Sequence, residues 1–242
     1  MIKRWPHIKP GWYVLMGLLI YSIVVSIALS RTQRAEAQLR TVLERQVDMP
    51  AAPAAPEGLW FPIVGARLPQ DPAYLPNATR AYRRGVNQGF DFYSEDAGIP
   101  IPYGTPVIAA DDGVISRIDI DYREISPNDW LALIDAVSQD GADDEQLDLL
   151  RGRQIWITTD NDLRLVYGHL SGVREGLQEG SRVYRGQVIG YVGNSGTDDG
   201  VNGTMRGARL HFEIWRADGS FIGQGMNEAQ VRSLANSLFV GP

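Results

Sequence analysis

Two hydrophobic rhythms divide this sequence. Residues 11–29 read GWYVLMGLLIYSIVVSIAL without a single charge, whereas beyond residue 58 the apolar residues come in short runs broken by glycine. At about 1.5 Å per helical residue the first run nearly crosses a hydrocarbon core of ~30 Å, which predicts one transmembrane helix over 11–29. Trp12 and Tyr13 suit the membrane interface, and Lys3, Arg4 and Lys9 precede the run. By the positive-inside tendency residues 1–10 are a cytoplasmic basic N-terminus and everything after Ser30 faces outward, giving a single-pass cell-membrane protein with an extracytoplasmic C-terminal domain. A cleaved signal peptide, with Ala28 and Ser30 as small residues near the cut, is the competing reading; both export the domain.

Residues 30–57 form a connector. Ala35, Leu39, Val42 and Gln46 fall at heptad-like spacing and predict a short juxtamembrane helix, followed by the Pro/Ala spacer MPAAPAAP at 49–56. Residues 58–242 are then the folded domain. β-rich runs at 106–110, 113–120, 154–158, 163–167, 182–184, 187–192 and 209–215, each bounded by turn residues, predict a mainly β, antiparallel domain. One stretch breaks this rhythm. Ser126 and Pro127 read as an N-cap and first-turn proline ahead of Trp130, Leu133, Ile134 and Val137 on one helical face, and Asp143 with Gln146 reads as a capping box ahead of Leu147 and Leu150. A helical hairpin inserted at about 124–151 is the expectation.

Composition narrows the chemistry. A length of 242 residues suits one domain plus an anchor, and a net charge of -6 provides no basic footprint for nucleic acid. With no cysteine, thiolate metal sites, thiol nucleophiles and disulfides are excluded, so a metal must be held by His, Asp or Glu. Of the three histidines, His7 precedes the apolar run, which leaves His169 and His211 for the exported domain.

Four segments carry a resemblance. Residues 86–92 read VNQGFDF, residues 167–171 read YGHLS, residues 180–196 read GSRVYRGQVIGYVGNSG, and residues 209–213 read RLHFE. Their order and spacing resemble the LytM/lysostaphin-type zinc metallopeptidases of the cell wall, whose motifs are His-x-Gly-x-Asp, Tyr-x-His-Leu-Ser, glycine-studded hairpins and His-Leu-His-Phe-Glu. The resemblance implies a LytM-type antiparallel β domain. It implies that Asp91 and His211 stand at metal-ligand positions and His169 at a catalytic one, with Asn87 in place of the remaining ligand His and Arg209 in place of the second catalytic His. The hairpin at 179–190 also resembles that of biotinyl and lipoyl carriers. Those need a lysine, and the only lysines, Lys3 and Lys9, precede the apolar run.

A catalytic zinc needs three protein ligands and an open water position. Asn offers only a neutral amide, and a permanently charged Arg neither accepts a proton nor binds metal. The expected function is therefore a membrane-anchored, cell-envelope module that is non-catalytic and binds or regulates in peptidoglycan remodelling, with peptidoglycan or cell-wall hydrolases as partners and no cofactor. The alternative is an active zinc endopeptidase cutting peptidoglycan cross-links with an altered ligand set, with zinc as cofactor. Glu95, Asp96, Asp111, Asp112, Asp198 and Asp199 are candidates to complete such a set, and turn-closing residues otherwise. Without metal, Asp91 would need another cation; either Arg209 supplies it through an ion pair within about 4 Å, or Arg209 points to solvent and backbone amides hold Asp91 as a turn-stabilising residue.

Overall fold

The structure, a computed structural model, describes residues 58–241 together with positions 21, 22, 25, 26, 29 and 33, all six helical. The chain divides at residue 55, and the unit Pro56–Pro242 carries the fold. The expected transmembrane span at 11–29 and the connector at 30–57 lie outside the described residues apart from those six positions. Among the described residues no helix is long and apolar enough to cross a membrane.

Eleven strands form the domain: β1 (Thr79–Arg80), β2 (Gly85–Val86), β3 (Gly89–Tyr93), β4 (Pro106–Ile108), β5 (Gly113–Ile118), β6 (Ile155–Thr159), β7 (Arg164–Gly168), β8 (Leu170–Val173), β9 (Arg182–Val183), β10 (Val188–Val192) and β11 (Arg209–Trp215). A six-stranded sheet runs β3-β11-β7-β6-β5-β9, a three-stranded one β4-β10-β8, and β1 with β2 makes a ribbon. All of these pairings are antiparallel. Alternation of side chains along a strand explains how β11 serves two purposes. Leu210, Phe212 and Ile214 join Phe90, Phe92, Leu165 and Tyr167 in the main core. Arg209, His211, Glu213 and Trp215 share the opposite face. All seven β-rich runs contain a strand. The strands β1, β2, β3 and β8 were not foreseen: two residues carry no period, and in β3 every position but Tyr93 is buried, which erases the polar-apolar alternation.

The inserted hairpin consists of α1 (Pro127–Asp140) and α2 (Asp144–Arg151). Ser126 caps α1 by accepting from Asp129 N, and both halves of the Asp143/Gln146 capping box are made. Trp130, Leu133, Val137 and Leu150 form a second, smaller core with Ile134 packed against it, so the predicted stripe is satisfied largely within the insertion. A short α3 (Asp198–Val201) follows, and an unforeseen α4 (Glu228–Leu238) opens with an Asn227/Gln230 capping box and buries Val231 and Ala235. The insertion leaves β5 and returns into β6 where Ile118 already pairs with Ile155. Replacing residues 126–149 by a short glycine linker is therefore expected to leave cooperative urea unfolding, followed by circular dichroism, with a smaller m-value. A broad, non-cooperative transition would show that the hairpin belongs to the main core.

Candidate functional site

Strand register brings the site together. On β11 the residue directly opposite His211 is Asp91 of β3, across 120 positions of sequence. His211 Nδ1 donates to Asp91 Oδ1 at 2.7 Å, and its Nε2 donates to Glu213 Oε1 at 2.8 Å. A carboxylate only accepts, so an imidazole bonded to two of them carries both protons. Asp91 Oδ2 receives Arg80 Nη2 at 2.6 Å and Asn87 Nδ2 at 3.1 Å. Arg151, the last residue of α2, donates through Nε to Glu213 Oε1 and through Nη2 to Gln88 Oε1, both at 2.8 Å. Trp215 Nε1 donates to Glu213 Oε2 at 2.6 Å. The result is a buried line of alternating charge: Arg80, Asp91, His211, Glu213, Arg151.

His169 stands beside this line, its ring centroid 5.8 Å from that of His211. Its backbone is left-handed, φ 58°, a conformation that costs a non-glycine residue about 1 kcal/mol or more. A hydrogen bond from His169 N to Arg151 O at 2.7 Å holds it there. Nδ1 donates to the Ser195 carbonyl at 2.7 Å, so Nε2 is the unprotonated nitrogen. The Ser195 loop can approach this closely because Gly196 has φ 66° and a Cβ on it would stand 2.4 Å from Gly152 N. Tyr167, the tyrosine of the YGHLS segment, is structural: it is fully buried and its hydroxyl accepts from Ala110 N at 2.9 Å.

The charges follow from these contacts. Burial pushes the Asp91 carboxyl up, but the charge and hydrogen bond of His211, then the fields of Arg209 and Arg80, hold it well below the usual carboxylate range. Burial likewise opposes ionisation of Glu213, yet the His211 hydrogen bond and the Arg151 charge bring it down to about 2. Burial alone would lower His211; Asp91 and Glu213 reverse this and raise it. His169 is pushed far down by burial, then by Arg209 and His211, and stays neutral.

The expected Arg209 to Asp91 ion pair is not formed. Register places Arg209 opposite Tyr93, and its guanidinium lies over that ring at 5.4 Å. Arg80, from the neighbouring ribbon, makes the contact instead. Arg209 acts on Asp91 through its field alone.

The residues do not fit a zinc ion. His211 spends both nitrogens on carboxylates, both Asp91 oxygens are taken, and Asn87 turns its amide NH2 toward Asp91. Among the described residues no group of three or more His, Cys, Asp or Glu side chains is arranged to hold a metal. The other carboxylates serve turns and ion pairs: Asp96 accepts from Gln70 N and Asp71 N, Asp111 pairs with Arg185, Asp112 accepts from Arg185 N, Asp199 accepts from Thr204, and Glu95 sits in a turn at φ 68°. Of the six, Asp198 alone lines the site.

The site is the floor of a groove of about 490 Å³ walled by Trp130, Leu131, Ile134, Leu147 and Leu150 of the hairpin. Sequence reasoning missed Arg80 and Arg151, which flank the line of charge, and left Glu213 without a role. Glu213 was legible in principle, two residues beyond His211 on the same strand face. Arg80 and Arg151 carried no signal, since neither lies in a motif and only the fold brings them near.

Several solved structures are similar to this chain. The catalytic domain of the prophage-encoded M23 protein EnpA from Enterococcus faecalis is 19% identical over 71% of this chain and 92% of that one, with a TM-score of 0.37. Csd3 from Helicobacter pylori is 20% identical over 72% of this chain, which spans only 33% of Csd3, at a TM-score of 0.39. The catalytic domain of lysostaphin from Staphylococcus simulans is 22% identical over 59% of this chain and 75% of its own, at a TM-score of 0.36. Such low scores add no argument by themselves, and a search of curated proteins finds no match. Residues 93–225, more than half of the chain, match Peptidase family M23. The match begins just past Asp91 and runs through His169 and His211, and with the antiparallel β fold it settles the chain's affiliation: this protein belongs to Peptidase family M23.

Proposed function

We propose that this domain is a non-catalytic M23 module that binds or regulates in the cell envelope during peptidoglycan remodelling. The observation that carries the reading is the Arg80 guanidinium on Asp91 at 2.6 Å: a fixed cation stands against the carboxylate that a metal would need. Arg80 pairs with Asp91 and Arg151 pairs with Glu213, so both buried carboxylates are answered by fixed cations without a metal ion. In this reading no cofactor is used, and the groove presents a binding surface whose partners are peptidoglycan or the hydrolases acting on it. The full-length protein is expected to purify without stoichiometric zinc and to leave cell-wall suspensions turbid. Near-unit zinc by elemental analysis, with chelator-sensitive clearing, would establish the opposite.

That opposite is the second reading, an active zinc endopeptidase with an altered ligand set. The neutral His169 beside His211 favours it, since a buried unprotonated nitrogen is what a general base requires. Anchoring through residues 11–29, with the domain outside, is part of the same proposal and rests on the charge-free run and the preceding basic residues. Protease added to intact cells should digest the domain and spare the N-terminus; protection of the domain would refute this orientation.

A further inference from the structure

Arg83 is the one buried arginine among the described residues, at 8% exposure. It ends the 3-10 turn Ala81–Arg83 between β1 and β2, where Arg84 turns the chain at φ 48°. Its Nη2 donates to Val86 O at 2.7 Å, while its Nε is buried with no partner. No carboxylate lies within ion-pair distance of it, although Arg80 and Arg151 are each paired. Burying an unpaired guanidinium is costly, and native proteins meet such a charge with an anion. Burial pushes the Arg83 guanidinium down, with the fields of Arg80 and Arg151 acting the same way, and Tyr82 and Glu213 oppose this without reversing it.

The surroundings say what kind of anion is missing. Arg80, Arg83, Arg151 and Arg209 line the groove against the carboxylates Asp91, Asp198 and Glu213, so cations are in excess there on a protein of net charge -6. Asp91 and Glu213 are already taken, and Arg209, held only by Gly207 O and the Tyr93 ring, has no ion-pair partner either. The wall above is apolar, and Leu131 on it is 67% exposed. A small inorganic anion would leave that wall wet, whereas a carboxylate with an apolar side chain next to it uses both features.

We propose that the groove holds a carboxylate-binding site, in which Arg83 receives the carboxylate of a peptide ligand, Arg209 adds its positive charge to the same groove, and the adjoining apolar side chain rests against Trp130, Leu131 and Ile134. The proposal rests on the reading that the groove binds rather than cuts. It is tested by calorimetric titration of the full-length protein with three peptides: acetyl-Ala-Leu with a free carboxylate, the same peptide as its amide, and the amide of acetyl-Leu-Glu. The free acid is expected to bind at least tenfold more tightly than its amide, about 1.4 kcal/mol. Binding of the Glu peptide instead would assign the carboxylate to an acidic side chain rather than a C-terminus. Arg83→Gln and Arg209→Gln should each weaken binding several-fold; Leu131→Asp, on an exposed position that does not threaten the fold, should weaken it too. If Arg83→Gln fails to fold, the other two variants and the acid-amide comparison decide. Equal affinity for acid and amide, affinity unchanged by these substitutions, or no binding of any probe overturns the site. Cleavage of a bound probe, read by mass, would refute the non-catalytic reading and leave the site standing.

Discussion

Replacing Arg80 by Ala is expected to destabilise the domain by about 3 kcal/mol, the low end for breaking a buried ion pair, because the Arg80 side chain keeps 17% exposure while Asp91 has almost none. The loss comes chiefly from Asp91, which would remain buried with only Asn87 and His211 as donors. Arg80→Met separates packing from the guanidinium, since it keeps most of the aliphatic stem and removes the charge together with its hydrogen bonds to Asp91 and Ala73 O. Arg209→Ala is expected to lose less than about 1 kcal/mol, as befits a partly exposed cation that touches no carboxylate. Double-mutant cycles sharpen the contrast. Arg80 and Asp91 should couple by more than about 1 kcal/mol, and Arg209 and Asp91 should be additive to within about 0.5 kcal/mol. Urea unfolding measures all four quantities. A stable Arg80→Ala protein, or coupling confined to Arg209, would remove Arg80 from its place as counter-ion.

The second large effect concerns metal affinity. Supplying Asn87→His and Arg209→His restores the histidines that the family pattern has at those two positions, but it leaves Arg80 seated on Asp91. The double variant is therefore expected to bind zinc poorly. Adding Arg80→Ala frees one Asp91 oxygen and removes the competing cation, so the triple variant is expected to bind zinc with high affinity. Binding must expel the second proton from His211, whose two carboxylate partners hold it, and affinity should rise steeply with pH. Because zinc would bind only the folded state, stability should increase by about 4 kcal/mol at a thousandfold excess over Kd. Thermal melts with and without zinc, run for wild type, double and triple variants, read this directly. Equal zinc response in the double and triple variants would show that Arg80 is no obstacle, and a folded triple variant that ignores zinc would show that Asp91, His211 and position 87 do not converge on a metal site.

The legible parts of this protein are those written locally. Ser126 with Pro127, and Asp143 with Gln146, cap helices through contacts three residues apart, and both caps stand where the sequence placed them. The five-residue strands β6 and β10 announced themselves by turn residues and β-branched content; β3, of the same length, was hidden by burial on both faces, and the two-residue ribbon β1 and β2 had too little sequence to show a period. The Asn227/Gln230 box that opens α4 was equally local and was overlooked.

The resemblance carried by the motifs put Asp91, Asn87, His169, Arg209 and His211 in one site, and the five do line one groove. Which cation answers Asp91 was decided only by tertiary structure. Arg209 lies two residues from His211 on the same strand face and looked near enough, but antiparallel register set it opposite Tyr93, and an aromatic face satisfied it there. Arg80 reached Asp91 because the ribbon folds back beside β3, and Arg151 reached Glu213 because α2 ends against β11. An unpaired buried charge accepts any counter-charge that geometry delivers; sequence order lists the candidates, and the distances that rank them exist only after the sheets have closed.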